Sequence, residues 1–355
     1  MSEYTTNTDS ADVAVIILNW NGASLLREFL PPLIENTPPC GHVIVADNGS
    51  DDDSLKILAE EFPEVEVLKF DKNHGYAEGY NLAIRHYSAK YPYAVLFNSD
   101  ATAFSDWLTP LRDFMENNPQ YAACQPKILS YRERGKFEYA GAAGGFIDRN
   151  GYPYCRGRIF DTVENDHSQY DTTMDVFWAT GACLMVRSEI YNDCGGLDKM
   201  FFAHMEEIDL CWRMQLAGYK LAAVTTACIY HLGGGSLDAK NPRKTYLNFR
   251  NNLLMMHKNL PDSVRSTSLL KRRLLDTIAW TKAAVTFDWA NARAIFRAHR
   301  DFAKMRQSYT EHPSVDLLHT LPKRPNILLD YFLRRKKKFD ELHRSPRATQ
   351  ASFRI

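Results

Sequence analysis

The 355-residue chain is narrowed first by what it lacks. No apolar run reaches the roughly 18 residues that a membrane-spanning helix needs, so none is expected. The opening stretch MSEYTTNTDSADVAVII has no basic segment ahead of an apolar core and does not have the shape of a signal peptide. The seven cysteines are odd in number, scattered, and without a CxxC pair. That pattern argues for buried free thiols in a reducing cytoplasm rather than a disulfide framework. No GxGxxG follows the first strand and no GxxxxGK[ST] occurs, so neither the dinucleotide fingerprint nor the ATPase-type phosphate loop is present. The segment LNWNGASLL also lacks the glycine-rich, Arg- and Lys-bearing loop of a nucleotidyltransferase.

What is present is a globular composition, 45% hydrophobic and 24% charged, enough for one large domain and a smaller appendage. The formal net charge is zero but unevenly spread. From residue 241 onward there are 24 Lys and Arg against 9 Asp and Glu, which leaves 19 and 34 for the first 240 residues. An acidic body thus precedes a basic region, expected to be helix-rich over 262–310. There Leu270, Leu274, Ile278, Val285, Trp289 and Phe296 share one side, with Lys271, Arg272, Lys282, Arg293, Arg297, Arg300 and Lys304 beside it. The run YFLRRKKKF at 331–339 adds five consecutive cations. The pattern suits a helix packed on the main body, or docking to an anionic membrane surface. Nucleic acid is a poorer partner, because no recognised binding module accompanies the charge.

The N-terminal half alternates. DVAVIILNW, HVIVAD, EVEVLKF and YAVLFNSD read as strands, and the segments between them read as helices. The helix GASLLREFLPPLIENT is expected to kink or break at Pro31–Pro32. A β-α-β-α order predicts an α/β fold with a mostly parallel sheet, whose ligands bind beyond the carboxyl ends of the strands. Those ends carry Asn19, Asp47-Asn48, Asn73-His74-Gly75 and Asn98-Ser99-Asp100. Turn chemistry alone favours such residues, but four consecutive tips converging on one edge favour a site. Asp47 could accept a hydrogen bond from a pyrimidine N–H, and Asp100 could reach a divalent metal bridging a diphosphate.

A second signal lies further on. Glu206, Glu207 and Asp209 open a helix, where acids either complement the helix dipole or supply a general base. His231 ends the next strand and is followed by Gly233-Gly234-Gly235-Ser236, a placement suited to a metal ligand beside a moving loop.

Six ordered motifs, VAVIILNWNG, VIVADNGSDDDS, NHGYAEGYNLAI, VLFNSDA, TGACLMVRSEIYNDCGGLDKMFFAHMEEIDLCWRMQLAGYKL and YHLGGGS, resemble family 2 glycosyltransferases of the GT-A fold. YLNFRNNLLMMHKN is similar to the segment that closes the domain in the bacterial rhamnosyltransferase-like branch. The resemblance covers residues 12–258. It implies a Rossmann-like sheet flanked by helices, preceded by a flexible stretch at 1–11 and followed by a helical basic region at 259–355.

It further implies an inverting transfer from a nucleotide-sugar donor, dTDP-rhamnose by branch, to a glycan or polyprenyl-linked acceptor in surface polysaccharide assembly. The protein would then be cytoplasmic, at the inner face of the membrane. Donor contacts implied by the motifs are Leu18, Asn19, Asp47, Asn73, Gly75, Asn81, Asn98 and Ser99. The family's usual Asp-x-Asp is Asn98-Ser99-Asp100 here, leaving Asp100 as the charged ligand for Mg2+ or Mn2+, with His231 a later metal or diphosphate contact. Glu207 aligns with the family's base, and Glu206 and Asp209 are the other candidates. Asn98 and Glu207, both departures from the family pattern, also leave open a catalytically silent nucleotide- or partner-binding protein.

Overall fold

The computed structural model describes residues 11–233, 241–320 and 324–343. The first ten residues, and Gly234, Gly235 and Ser236 of the glycine run, lie outside them. Strands β1 (Val13–Asn19), β2 (Gly41–Asp47), β3 (Glu66–Lys69) and β4 (Tyr93–Phe97) alternate with helices α1 (Ala23–Glu35), α2 (Ser54–Glu61) and α3 (Gly75–Tyr87). β1 pairs in parallel with β2 and β4, and β2 with β3, as the alternating order predicts. Along β1 the pleat sorts side chains, with Ala14 and Ile16 in one core and Val13, Val15 and Ile17 in the other.

The expected break at Pro31–Pro32 does not occur, since α1 is continuous through both prolines. The carbonyls that lose their donors, those of Arg27 and Glu28, belong to exposed residues where water can serve them. Leu26, Phe29, Leu30 and Leu33 meanwhile bury the other face.

The chain continues through β5 (Ala101–Thr102), α4 (Thr109–Asn117), β6 (Tyr121–Ser130) and a small sheet of β7 (Gly145–Ile147), β8 (Pro153–Cys155), β9 (Arg158–Ile159) and β10 (Thr162–Val163). It returns to the main sheet with β11 (Met174–Asp175), β12 (Cys183–Arg187), α5 (Ser188–Asp193), α6 (Glu206–Leu216) and β13 (Lys220–His231). The main sheet has the order β11-β13-β6-β12-β4-β1-β2-β3, with β5 added against β13. β12 runs antiparallel between β4 and β6, while β6 and β13 run in parallel. The result is a mixed α/β sheet whose long strands mostly point one way. All seven cysteines are free.

Three long helices follow, α7 (Pro242–Asn259), α8 (Asp262–Val285) and α9 (Trp289–Met305), with a short α10 (Phe339–His343). None of the described helices is long and apolar enough to cross a membrane. α7 sends Leu247, Leu253, Leu254, Met255 and Met256 into the interior. α8 instead buries two charged residues. The Arg272 guanidinium lies 3.6 Å from the centre of the Tyr152 ring and 2.9 Å from Asp276. Asp276 also accepts from Tyr152 Oη at 3.2 Å and faces His299 at 3.2 Å. In the cation run, Arg334 and Lys336 turn back to Asp330 at 3.1 and 3.6 Å, and Lys337 covers the Tyr331 ring. That run therefore serves in part to tie down its own segment.

Removing one member of a buried pair leaves the other charge uncompensated. Asp276→Ala should lower stability by about 3–5 kcal/mol, read as a fall in the urea midpoint. Asp276→Asn, which keeps an acceptor, should lose less.

Candidate functional site

The carboxyl ends of β1, β2 and β4 meet at one edge of the sheet, and the register there sets Asn19 beside Asp47. Asn19 Nδ2 donates to Asp47 Oδ1 at 3.1 Å and to Ser50 Oγ at 3.2 Å, while Ser50 N–H reaches Asp47 Oδ2 at 3.1 Å. Asn19 and Asp47 are both wholly buried. They brace the tip from beneath, and Trp20, 56% exposed, forms its outer surface. Asn48 joins the next loop, donating to Asn73 Oδ1 at 3.1 Å and accepting from His74 N–H at 2.9 Å. Asn73 Oδ1 in turn takes Gly75 N–H at 2.7 Å. Gly75, at φ +79, is the residue that allows this turn. Gly79 lets α3 lie close to β1, because a Cβ there would come within 2.8 Å of Leu18 Cδ1.

Asn81 is placed differently from its expected donor role. Its side chain donates to Leu197 O at 2.8 Å and accepts from Tyr191 Oη at 2.7 Å and Leu197 N–H at 2.9 Å. Those bonds use it to hold the loop after α5.

The fourth tip holds the charged centre. β5 pairs antiparallel with the end of β13, so His231 sits opposite Ala101 and reaches back to Asp100. His231 Nε2 lies 3.0 Å from Asp100 Oδ1 and 3.3 Å from Asn98 Nδ2. On its other side Glu138 comes within 3.5 Å of Nδ1. Burial alone would lower the His231 pKa, but Asp100 and Glu138 raise it to about 10. Burial disfavours the Asp100 anion, yet the His231 hydrogen bond and charge hold its pKa below the ordinary carboxylate value. Ser99 lies in the turn between the two side chains that face His231.

Could these groups hold a divalent metal? Ligands in adjacent positions of an octahedron with bonds of about 2.1 Å are about 3 Å apart, the spacing seen between Asp100 and His231. Asn98 lies next to the same imidazole edge. Among the described residues no three His, Cys, Asp or Glu side chains form a ready-made cage. One carboxylate and one imidazole fit a cation whose remaining positions come from substrate phosphates and water. Loading it requires His231 to give up its proton.

The acids at the start of α6 lie close by. A Cβ on Gly181 would come 2.7 Å from Tyr76 Oη and 3.8 Å from Glu207 Cβ. Tyr76 Oη donates to Gly181 O at 3.1 Å and reaches Asn98 Oδ1 at 3.4 Å. Real contacts thus run from Gly181 through Tyr76, Asn98 and His231 to Asp100, with Glu207 the neighbour that a side chain at position 181 would meet. Sequence reasoning missed Tyr76, Gly181 and Glu138, although the first two lie inside motifs it singled out.

The three acids divide sharply. Asp209 accepts from Arg213 Nε at 2.9 Å, Lys258 Nζ at 2.9 Å and Asn259 Nδ2 at 2.7 Å. Burial disfavours its charge, but these cations hold its pKa below the usual value. Its oxygens are occupied by these partners, so in this structure it anchors α6 to α7. Glu206 and Glu207 each keep one buried oxygen without a partner. Burial, reinforced by the neighbouring Glu207 charge, raises the Glu206 pKa well above the ordinary value. Burial, opposed by backbone N–H groups of the first turn, raises that of Glu207 to about 7.

The loop before α6 is strained, with Phe202, His204 and Met205 at φ +68, +68 and +74. α7 holds it in place. Asn251 Nδ2 faces the carbonyls of Phe201, Ala203 and His204 at 2.9, 2.8 and 2.7 Å, and Arg250 donates to Phe201 O at 2.7 Å.

Residues 14–193 match the family described as glycosyl transferase family 2, a segment that ends before α6 and His231. N-acetylglucosaminyl-diphospho-decaprenol L-rhamnosyltransferase of Mycobacterium tuberculosis is 26% identical over 233 residues, 61% of this chain and 75% of the relative. Rhamnosyltransferase WbbL of Escherichia coli is 23% identical over 203 residues, 55% of this chain and 75% of its own. Among solved structures, GalNAc-T7 with UDP, GalNAc and Mn2+ superposes with a TM-score of 0.54 at 16% identity, over 72% of this chain and 49% of that one. S. aureus TarS 1–349 in complex with UDP-GlcNAc gives 0.53 at 14% identity, over 82% and 81%. At these identities the likeness is one of fold.

Glu207 links the site to stability. Its folded-state pKa, about 7, lies above the ordinary 4.5, so the folded protein holds the extra proton across that window. Stability therefore falls as pH rises from about 4.5 to 7. Glu207→Gln should remove that dependence. In urea denaturation it should gain on the wild type at pH 8 relative to pH 5, whereas an equal difference at both pH values would contradict the assignment.

Proposed function

The chain belongs to glycosyl transferase family 2, and on that footing we propose that it inverts configuration while moving a hexose from a nucleoside-diphosphate sugar to a hydroxyl of a lipid-linked glycan. The observation that carries this reading is the closeness of Glu207 to Gly181 and Tyr76, from which hydrogen-bond contacts lead through Asn98 and His231 to Asp100. It sets an acid with a raised pKa next to the strand tips where a diphosphate would lie. The donor class is a pyrimidine nucleotide sugar, dTDP-rhamnose by analogy with the relatives named as rhamnosyltransferases. The polyprenyl-linked acceptor follows the decaprenol named in the first of these.

The nucleotide lies along the tips of β1, β2 and β4, over the Asn19–Asp47–Ser50 brace and beside Trp20 and Asn73. Asp100 and His231 would hold a divalent cation, Mg2+ or Mn2+, which when bound supplies charge compensation to the leaving diphosphate. Glu207, ionised at and above neutral pH, takes the proton of the acceptor hydroxyl. That hydroxyl attacks the anomeric carbon from the face opposite the nucleotide. The anomeric C–O bond to the phosphate breaks, and the diphosphate leaves with the electron pair. Burial and the neighbouring Glu207 charge both disfavour an ionised Glu206, so the pair favours its negative charge on Glu207. The strained 202–205 segment, tied to Asn251, fixes the height at which Glu207 meets the acceptor.

Glu207→Gln should keep donor affinity by calorimetry while turnover falls about 10²–10⁴-fold, the span of a lost general base. In the wild type, turnover should rise with pH through about 7. In thermal-shift measurements a nucleoside diphosphate with Mn2+ at about 100 times its Kd should stabilise the protein by about 2.7 kcal/mol, and Asp100→Asn should lose the metal-dependent part. A full-rate Glu207→Gln enzyme would remove that residue from the role.

A further inference from the structure

α8 is built inside out. Successive residues of a helix turn by about 100°, which sets Leu269, Arg272 and Asp276 on one side and Leu270, Leu274, Ile278 and Val285 on the opposite side. The first set, with its two charges, is buried. The second, wholly aliphatic, faces outward, with Leu274 60% and Ile278 65% exposed. A helix that only packed on the body would show the reverse. α9 packs the ordinary way round, burying Ile295, Ala298 and Phe302, yet it also exposes Trp289 and Phe296 on its outer side.

The elbow between the two helices is aromatic as well. Phe287 is 78% exposed and Trp289 62%. Phe287 sits at φ +59, so neither burial nor backbone preference explains an aromatic there. Together these side chains make an exposed apolar stripe along α8 with further exposed aromatics at the elbow and on α9, more than scattered exposed residues account for.

Cations frame this surface. Across 262–305 there are nine Lys and Arg against four Asp, and with Arg272 and Asp276 buried against one another eight cations face three acids. Lys271 and Lys282 flank the aliphatic stripe of α8, while Arg293 and Lys304 lie with Trp289 and Phe296 on the outer face of α9. Aliphatic side chains at the centre, aromatics at the edge and long cationic side chains around them are what an anionic lipid surface accepts. The apolar groups enter the acyl boundary, the aromatic rings sit at the headgroup level, and the amines reach phosphates. A second copy fits less well. Two-fold pairing would set this face against itself and bring like charges together.

We propose that the outer face of the α8–α9 hairpin, with its elbow at Phe287–Trp289, docks the protein onto a bilayer rich in anionic headgroups. This deepens the lipid-linked acceptor reading, since it would bring the site to the surface where such an acceptor is anchored. The observations that support it are independent of that reading.

The test is flotation of the full-length protein, without donor or acceptor, on phosphatidylcholine vesicles with and without about 30% phosphatidylglycerol. The wild type should float with the anionic vesicles and be released by salt. Ile278→Gln/Phe287→Ser/Trp289→Ser should lower the bound fraction about tenfold or more. Lys282→Glu/Arg293→Glu should abolish the preference for anionic lipid. All the altered side chains are exposed, so circular dichroism should confirm an intact fold. Wild-type flotation by the triple variant would overturn the proposal. So would absence of flotation together with a concentration-dependent dimer, by light scattering, that the triple variant loses. Neither outcome bears on Glu207, and a failed Glu207→Gln experiment leaves the docking face untouched.

Discussion

A single buried carboxylate, that of Asp209, holds the candidate site together. It collects Arg213 from its own helix and Lys258 and Asn259 from α7. Each partner extends the network. Arg213 donates onward to Gly196 O at 2.7 Å, in the loop that Asn81 also grips. Lys258 reaches Asp198 at 2.8 Å, and Tyr309, beyond α9, donates to the same Asp198. A carboxylate removed from water is tolerable only when its lone pairs are filled. The need to fill them draws α6, α7, the loop after α5 and the chain beyond α9 to one point. Glu206 and Glu207 gain their placement from this arrangement while taking no part in it.

The same division of labour recurs at the strand tips. Asn19 and Asp47 are spent on bracing one another and Ser50, which leaves the exposed edge to Trp20 and Asn73. At the fourth tip, the amide at position 98 avoids a third negative charge beside Asp100 and Glu138. An aspartate there would place three carboxylates around one imidazolium. The substitution that departs from the family pattern is thus consistent with a site balanced between one histidine and two acids.

Much of this was legible in the chain itself. The period-two strands, the helices between them and the amide- and acid-bearing tips are local patterns, and local patterns predict which residues share an edge. What the pattern could not show were contacts across long stretches of chain. His231 and Asp100 are 131 residues apart, and Tyr76 and Gly181 are 105. Asp209 looked like its two neighbours because two of its three partners, Lys258 and Asn259, lie in another helix. Pro31 and Pro32 suggested a break because the burial that keeps α1 intact is tertiary. The stripe from Leu270 to Val285 was visible as a stripe, but periodicity says which residues share a face and not whether anything covers it.

α7 gives adjacent residues to the two ends of the molecule. Asn251 grips the segment that presents Glu207, while Asn252 donates to Gly151 O at 2.7 Å and accepts from Arg272 of α8. Through these two consecutive positions a single helix touches both the segment that carries Glu207 and the first half of α8. Were that hairpin seated on a bilayer, the height of Glu207 above the lipid would be a fixed dimension of the protein. A hydroxyl presented on a lipid tether would then be chosen by how far it stands from the membrane as much as by which sugar bears it.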